Sequence, residues 1–367
     1  MKHPTICIVF TALSQLAGFP NSLHAQNPVV PTVVPTVVPT VVPVVPATLV
    51  ATPASDTLVT NRPIVRECDH AKPAWLFCDD FESDRMSSYF EHKNPDSSFT
   101  RADSVGVLGS MGMRVRFRKG QVDAGSLKLA FGKTPSSYMR PVDSTAKNTV
   151  YRELYWRVYM RDDSTWTGGG GDKLSRAQVL VSPSWAQAMG APVWSGAPPS
   201  PGSSYLVIDP YSGTDVTGTL RTTTYNDFPH LRWLGSVRSR TPIFDQAHIG
   251  KWYCIEAHVK LNDPGQSNGV FELWVDDWLE AQHAGLNWVG SYTTYGLNTV
   301  FFENYWNAGS PVTQQRYLDN IVVSTQRIGC GRLAASDAAL TRPDSTLNRG
   351  PVSPAPRPAI RPQANRS

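Results

Sequence analysis

Residues 252–261 alternate strictly. Tyr253, Ile255, Ala257, Val259 and Leu261 fall on one side of an extended chain, and Trp252, Cys254, Glu256, His258 and Lys260 on the other. This predicts a strand with an apolar inner face and a polar outer face that carries an aromatic. The turn-forming stretch NDPGQSNG follows, and VFELWVDD resumes an extended pattern, so residues 250–277 read as a hairpin with a long connection. Residues 149–163 repeat the theme: Leu154, Trp156, Val158 and Met160 alternate with Tyr151, Glu153, Tyr155, Arg157, Tyr159 and Arg161. A face of Tyr, Glu and Arg suits sugar rings, which offer C–H patches to aromatic planes and hydroxyls to charged groups. Its structural alternative is a solvated face held by cross-strand pairs.

PAWLFCDDFESD (73–84) reads as an early strand and QRYLDNIVVSTQRIGC (315–330) as a final one. If these two pair, Asp80, Glu82 and Asp319 approach one another and supply oxygen ligands of the kind Ca²⁺ takes, a structural calcium site. The alternative is acids capping turns at strand ends. No long segment has helical periodicity, and the chain has 30 prolines and 27 glycines with 17% charged residues, which fits many strands joined by turns. The expected domain, residues 61–335, is all-β.

The flanks differ in composition. Residues 1–25 read as a secretory signal peptide cut after Ala25, residues 26–60 as an extended Val/Pro/Thr-rich linker, and residues 336–367 as a disordered Pro/Arg-rich tail. No apolar run is long enough for a transmembrane helix. The implied location is secreted, periplasmic or at a cell surface. Four cysteines remain after the leader, Cys68, Cys78, Cys254 and Cys330, and an oxidising compartment favours two disulfides in any of three pairings.

The whole chain is formally +4; setting aside Lys2 and residues 341–367, with five arginines against one acid, leaves the rest near −1. Affinity for an acidic polymer must then come from a local cluster or from the tail, and the expected partners exclude nucleic acid. One such cluster lies at 220–240, where Arg221, Arg232, Arg238, Arg240 and His230 are interleaved with Tyr225, Phe228 and Trp233. FFENYWNAG (301–309) reads as a sugar-contact loop with Tyr305 and Trp306. The run WTGGGGDKLSRAQ (166–178) is not a phosphate cradle, because Asp172 precedes Lys173 and Leu174 follows it. It reads as a glycine-rich connecting loop that ends at a lysine.

LFCDDFES, the 250–277 hairpin and TVFFENYWNAGSPVTQQRYLDNIVV together resemble the concanavalin A-like jelly-roll β-sandwich of secreted polysaccharide lyases, most nearly the polysaccharide lyase family 14 type. The resemblance covers roughly residues 73–330. It implies β-elimination on a uronic-acid-containing polysaccharide. GGGGDKL is similar to that family's Gly-Gly-Lys-Leu segment, which places Lys173 as the base. TLRTTTY stands where the family has Ser-x-Arg and Tyr-x-Tyr, so Arg221 would clamp the carboxylate and Tyr225 would act as acid, with His230 an alternative proton carrier. Thr219 replaces the serine, and the second tyrosine is missing.

Substrate contacts are expected from Tyr155, Arg157, Tyr159, Arg232, Trp233, Glu256, His258, Tyr305 and Trp306; no cofactor is required. Two other functions share this fold. A non-catalytic glycan-binding module would use the same aromatic faces. A glycoside hydrolase needs two closely placed carboxylates, and no strand offers a clear pair; Glu272 and Asp276 share a face but run into a turn.

Overall fold

The structure is a computed structural model that describes residues 64–167, 172–196 and 205–331. The leader, linker and tail expected at 1–25, 26–60 and 336–367 lie outside the described residues. In chain order the strands are β1 (Trp75–Asp79), β2 (Glu91–Lys93), β3 (Phe99–Ala102), β4 (Gly112–Phe117), β5 (Asp123–Ala130) and β6 (Glu153–Asp162). Then come β7 (Asp172–Leu180), β8 (Gln187–Trp194), β9 (Val207–Ile208), β10 (Tyr211–Ser212), β11 (Arg232–Trp233) and β12 (Val237–Arg238). The last are β13 (Tyr253–Lys260), β14 (Gly269–Val275), β15 (Trp278–Leu286), β16 (Thr299–Trp306) and β17 (Gln314–Ser324). Only short 3₁₀ turns interrupt them among the described residues.

They form two antiparallel sheets, a jelly-roll sandwich. The first runs β15-β14-β13-β6-β17-β4-β3, with β1 also paired to β17; the second runs β11-β10-β8-β7-β16-β5-β2, with β9 and β12 joined to its β8 side. The predicted early and final strands do pair, Cys78 opposite Val322. The predicted hairpin is β13–β14, and β13 lies against β6 with Ala257 opposite Trp156.

The predicted inner positions build the core. Leu154, Trp156, Val158 and Met160 of β6 and Ile255, Ala257 and Val259 of β13 pack across the sandwich toward Leu127, Leu129, Ala177, Val179, Val300 and Phe302. Trp156 Nε1 donates to Ser175 Oγ of the facing sheet at 2.9 Å, so a polar atom within the core has its partner. Arg316 of β17 crosses between the layers. Its Nε donates to Asp162 at 3.0 Å and its Nη1 to Asp172 at 3.3 Å, with the Trp166 ring 4.9 Å from its guanidinium carbon.

Part of the outer face of the first sheet is covered by Glu67 and residues 328–331, the segments at the two ends of the described domain. Arg157, fully buried, pairs with Glu67 and donates to the carbonyl of Gly329 at 2.8 Å. Glu256, also fully buried, accepts from the amides of Ile328 and Gly329. The Tyr159 hydroxyl accepts from the Gly331 amide at 2.7 Å. Two disulfides hold these ends, Cys68–Cys78 and Cys254–Cys330, which resolves the three pairings to one.

Candidate functional site

Two strands expected as loops are central to the second sheet. Residues 172–180 form β7 rather than the end of a glycine loop, and residues 299–306 form β16 rather than a contact loop. In β7 the register slips between Lys173 and Ser175. Leu174 and Ser175 therefore both point into the sandwich, while Lys173 and Arg176, three residues apart, share the outer face, as a β-bulge permits.

Cross-strand pairing arranges that face in rows. One row is Ala130, Thr299, Gln178, Gly190, Tyr211 and Trp233; another is Glu91, Lys128, Phe301, Arg176 and Pro192. A third brings Asp123, Tyr305, Lys173 and Trp194 together. Tyr211 lies directly on Gly190, where a Cβ would sit 2.2 Å from the ring, so only glycine admits it.

At the centre Arg176 Nη2 meets Glu303 Oε1 at 2.6 Å and also donates to the Tyr225 hydroxyl, while Nη1 reaches Asn226 at 3.3 Å. Burial works to raise the Glu303 pKa, but Arg176 and Lys173 outweigh it and hold Glu303 below its ordinary value. Burial drives the Tyr225 phenol well above its ordinary pKa, opposed by Arg176. Gln187 ties the loop to the sheet: its Nε2 donates to Gln178 and to Tyr211, each at 2.6 Å, and its Oε1 accepts from the Asn226 amide at 2.8 Å.

The Lys173 ammonium sits 4.2 Å from the centroid of the Tyr305 ring. Burial first, and the Arg176 charge second, lower its pKa to about 8. Asp172 does not reverse this, because the strand turns its carboxylate inward to Arg316. Three donors on this face, Arg176 Nε, Gln178 Nε2 and Trp194 Nε1, are buried with no hydrogen-bond partner among the described residues. Unpaired buried donors are costly to the fold, and the first sheet has them too, at Arg157 Nε and Arg161 Nε.

Of the sequence-predicted catalytic residues, Lys173 and Tyr225 stand on this face, linked through Arg176. Arg221 does not join them: it is exposed and paired with Asp215 at 2.5 Å. His230 is likewise exposed, bonded to Asp227 at 2.8 Å. Sequence reasoning missed Arg176, Gln178, Gln187, Tyr211 and Glu303; the signal was the outward alternation Arg176, Gln178, Leu180 after a break in phase.

The predicted substrate contacts divide. Tyr305 lies under Lys173, and Trp233 packs edge-on to Tyr211 at 5.3 Å at the margin of the second sheet. Arg232 is turned to the Asn287 carbonyl at 3.1 Å. Trp306 belongs to the core, against Phe117 and Trp166. Arg157, Tyr159 and Glu256 are sealed beneath the segments at the two ends of the described domain. On the same sheet Tyr155 stacks on His258 at 4.0 Å, and His258 is held between Glu153 at 2.8 Å and Glu272 at 2.7 Å.

The calcium expectation is not met in the geometry. Asp80 accepts from the amides of Cys68 and Glu82, Glu82 from that of Met111, and Asp319 from those of Val107 and Asn320. Among the described residues no group of three His, Cys, Asp or Glu could hold a metal ion. These acids cap backbone amides, and no described helix is long and apolar enough to cross a membrane.

No family model matches the sequence, and no curated protein matches it. Among solved structures the chain is similar to an endo-β-1,4-glucuronan lyase from the fungus Trichoderma reesei, with a TM-score of 0.47 and 10% identity over 69% of this chain and 96% of that one. It is similar to alginate lyase vAL-1 from a Chlorella virus, with a TM-score of 0.42 and 12% identity over 65% and 94%. A third is the marine PL-14 alginate lyase from Aplysia kurodai, with a TM-score of 0.43 and 14% identity over 69% and 99%. These three are polysaccharide lyases, and the similar structures also include a cellulose-induced protein and the binding domain of a botulinum neurotoxin. At these scores and identities the likeness assigns no activity.

Proposed function

We propose that the outer face of the second sheet binds a uronic-acid-containing polysaccharide and cleaves it by β-elimination. The observation that carries this reading is the gathering of a half-buried lysine and a tyrosine hydroxyl around Arg176 on one face. The Arg176 guanidinium would draw in the uronate carboxylate by its charge, the role first expected of Arg221. A fixed charge there stabilises the enolate-like charge that develops as the C5–H bond breaks.

Lys173, with its pKa lowered to about 8 by burial, is neutral often enough near neutral pH to take that proton. The C5–H electron pair forms the C4=C5 double bond as the C4–O bond breaks. Tyr225 then gives its proton to the departing oxygen, and Arg176 at its hydroxyl steadies the phenolate. No water is consumed.

The test is far-ultraviolet absorbance of the unsaturated uronate product, across alginate, glucuronan, heparin-like and pectic polymers. A rising signal on one polymer, lost in Lys173→Ala, supports elimination. New reducing ends without absorbance would make the protein a hydrolase. No new ends with any polymer, alongside retardation in a polysaccharide gel, would make it a binding module.

A further inference from the structure

The geometry points to a second sugar-binding position on the same face, an aromatic shelf of Tyr138 and Trp185 that takes a neighbouring ring of the same polysaccharide. It rests on the reading of this face as a glycan groove, not on the elimination step. The Glu91, Lys128, Phe301, Arg176 row leads from the proposed centre toward it. Lys128 pairs with Glu91 and lies 4.8 Å from the Trp185 ring centroid and 5.3 Å from that of Phe301. Tyr138 donates its hydroxyl proton to the other Glu91 oxygen at 2.8 Å, and its ring lies 6.4 Å from Trp185, tilted by 34°.

Three features favour a ligand. Tyr138 is 53% exposed although its ring is tethered through the hydroxyl, so its plane is fixed before anything binds and little side-chain entropy is lost on contact. Trp185 has φ 63°, a backbone region costly for a bulky residue, in the turn where its amide bonds the Ser182 carbonyl. Such strain is retained where the side chain it aims has a use. Trp185 also stands edge-on to Tyr225 at 5.4 Å, so the shelf is continuous with the group proposed as the acid.

Glu91 cancels the charge of Lys128, so beside Trp185 the shelf offers an aromatic plane, with the Arg140 charge near Tyr138. It therefore suits the C–H face of a pyranose, while carboxylate recognition stays at Arg176.

The whole chain is run in native gels containing alginate, polyglucuronate or pectate. On the polymer that retards the wild type, Tyr138→Ala weakens binding about fivefold and Tyr138→Phe, which keeps the ring, about twofold. Their unfolding midpoints match the wild type. Where the polymer is turned over, Tyr138→Ala raises KM by about the same factor and leaves kcat unchanged. Wild-type retardation by a folded Tyr138→Ala overturns the shelf. Retardation of the wild type without any unsaturated product overturns the elimination and leaves the shelf standing. Absence of retardation by every polymer overturns both.

Discussion

The two sheets present outer faces of the same composition, tyrosine, arginine, glutamate and histidine or lysine, yet they differ in what covers them. On the first sheet Arg157 and Glu256 meet the segments at the two ends of the described domain, Arg157 taking Glu67 and the Gly329 carbonyl and Glu256 the amides of Ile328 and Gly329, while His258 lies between Glu153 and Glu272. On the second, Arg176 pairs with Glu303 and meets Tyr225 and Asn226; buried donors without a partner among the described residues occur on both faces, Arg157 Nε and Arg161 Nε on the first and Arg176 Nε, Gln178 Nε2 and Trp194 Nε1 on the second. Buried polar groups demand partners. What separates the faces is that the second keeps a half-buried lysine, Lys173 over the Tyr305 ring, whereas Arg157 and Glu256 of the first are closed off.

The sharpest test of this contrast is chemical. Lys173→Ala should lower product formation by about 10²–10⁴-fold, the range for a general base, with an unchanged unfolding midpoint. A variant that keeps full rate would remove Lys173 from the reaction. On the sealed face the sign reverses. Arg157→Met leaves Glu67 buried without its partner and should cost about 3–5 kcal/mol in denaturant unfolding, while kcat per folded molecule stays at the wild-type value. A large loss of kcat there would mean that the first sheet is not merely structural.

The disulfide that closes the longer loop, Cys254–Cys330 with its cysteines 76 positions apart, should contribute about 2–5 kcal/mol. Replacing both cysteines by serine should lower stability and loosen the cover, read as faster amide exchange at Ile328 and Gly329. Exchange as slow as in the wild type would show that the polar contacts suffice.

Acidity separates the faces more gently. Lys173 has a folded pKa below its ordinary value, at about 8, so the amine is protonated below that pH and the rate should climb about tenfold per pH unit until about 8, then level. Asp319 on the first sheet has the opposite shift, raised to about 8 by burial. Its native form binds more protons than the unfolded chain between roughly pH 4 and 8, so stability falls as pH rises through that window. Asp319→Asn should flatten that decline in a series of unfolding curves. The smallest effect belongs to Arg221→Ala, an exposed pair worth about 0–1 kcal/mol that should leave turnover and binding intact; a large loss would restore Arg221 to the site.

The alternation in β6 and β13 was legible because nothing interrupts its period of two, and it correctly separates Trp156 and Ala257 from Arg157 and Glu256. In β7 the slip after Lys173 puts Lys173 and Arg176 on one face at a spacing of three. That parity is invisible to a period-two reading, so the strand was taken for a loop. Lys173 and Tyr225 were found through motif likeness, whereas Arg176 and Glu303 had no motif to mark them. Arg221 also matches a motif, the Ser-x-Arg likeness within a basic stretch, and neither motif nor charge density along a chain reports that an exposed partner such as Asp215 already satisfies it.

Local pattern alone determined that this protein is a stack of half-apolar strands, which residues face inward and how many cysteines can bridge, because burial of apolar side chains follows the geometry of a single strand. Which outer face is closed, which cysteines meet, where Asp172 points and which guanidinium stands beside Lys173 were decided only by the tertiary structure. Each depends on residues brought together from distant parts of the chain, and a pairing of that kind has no period to read.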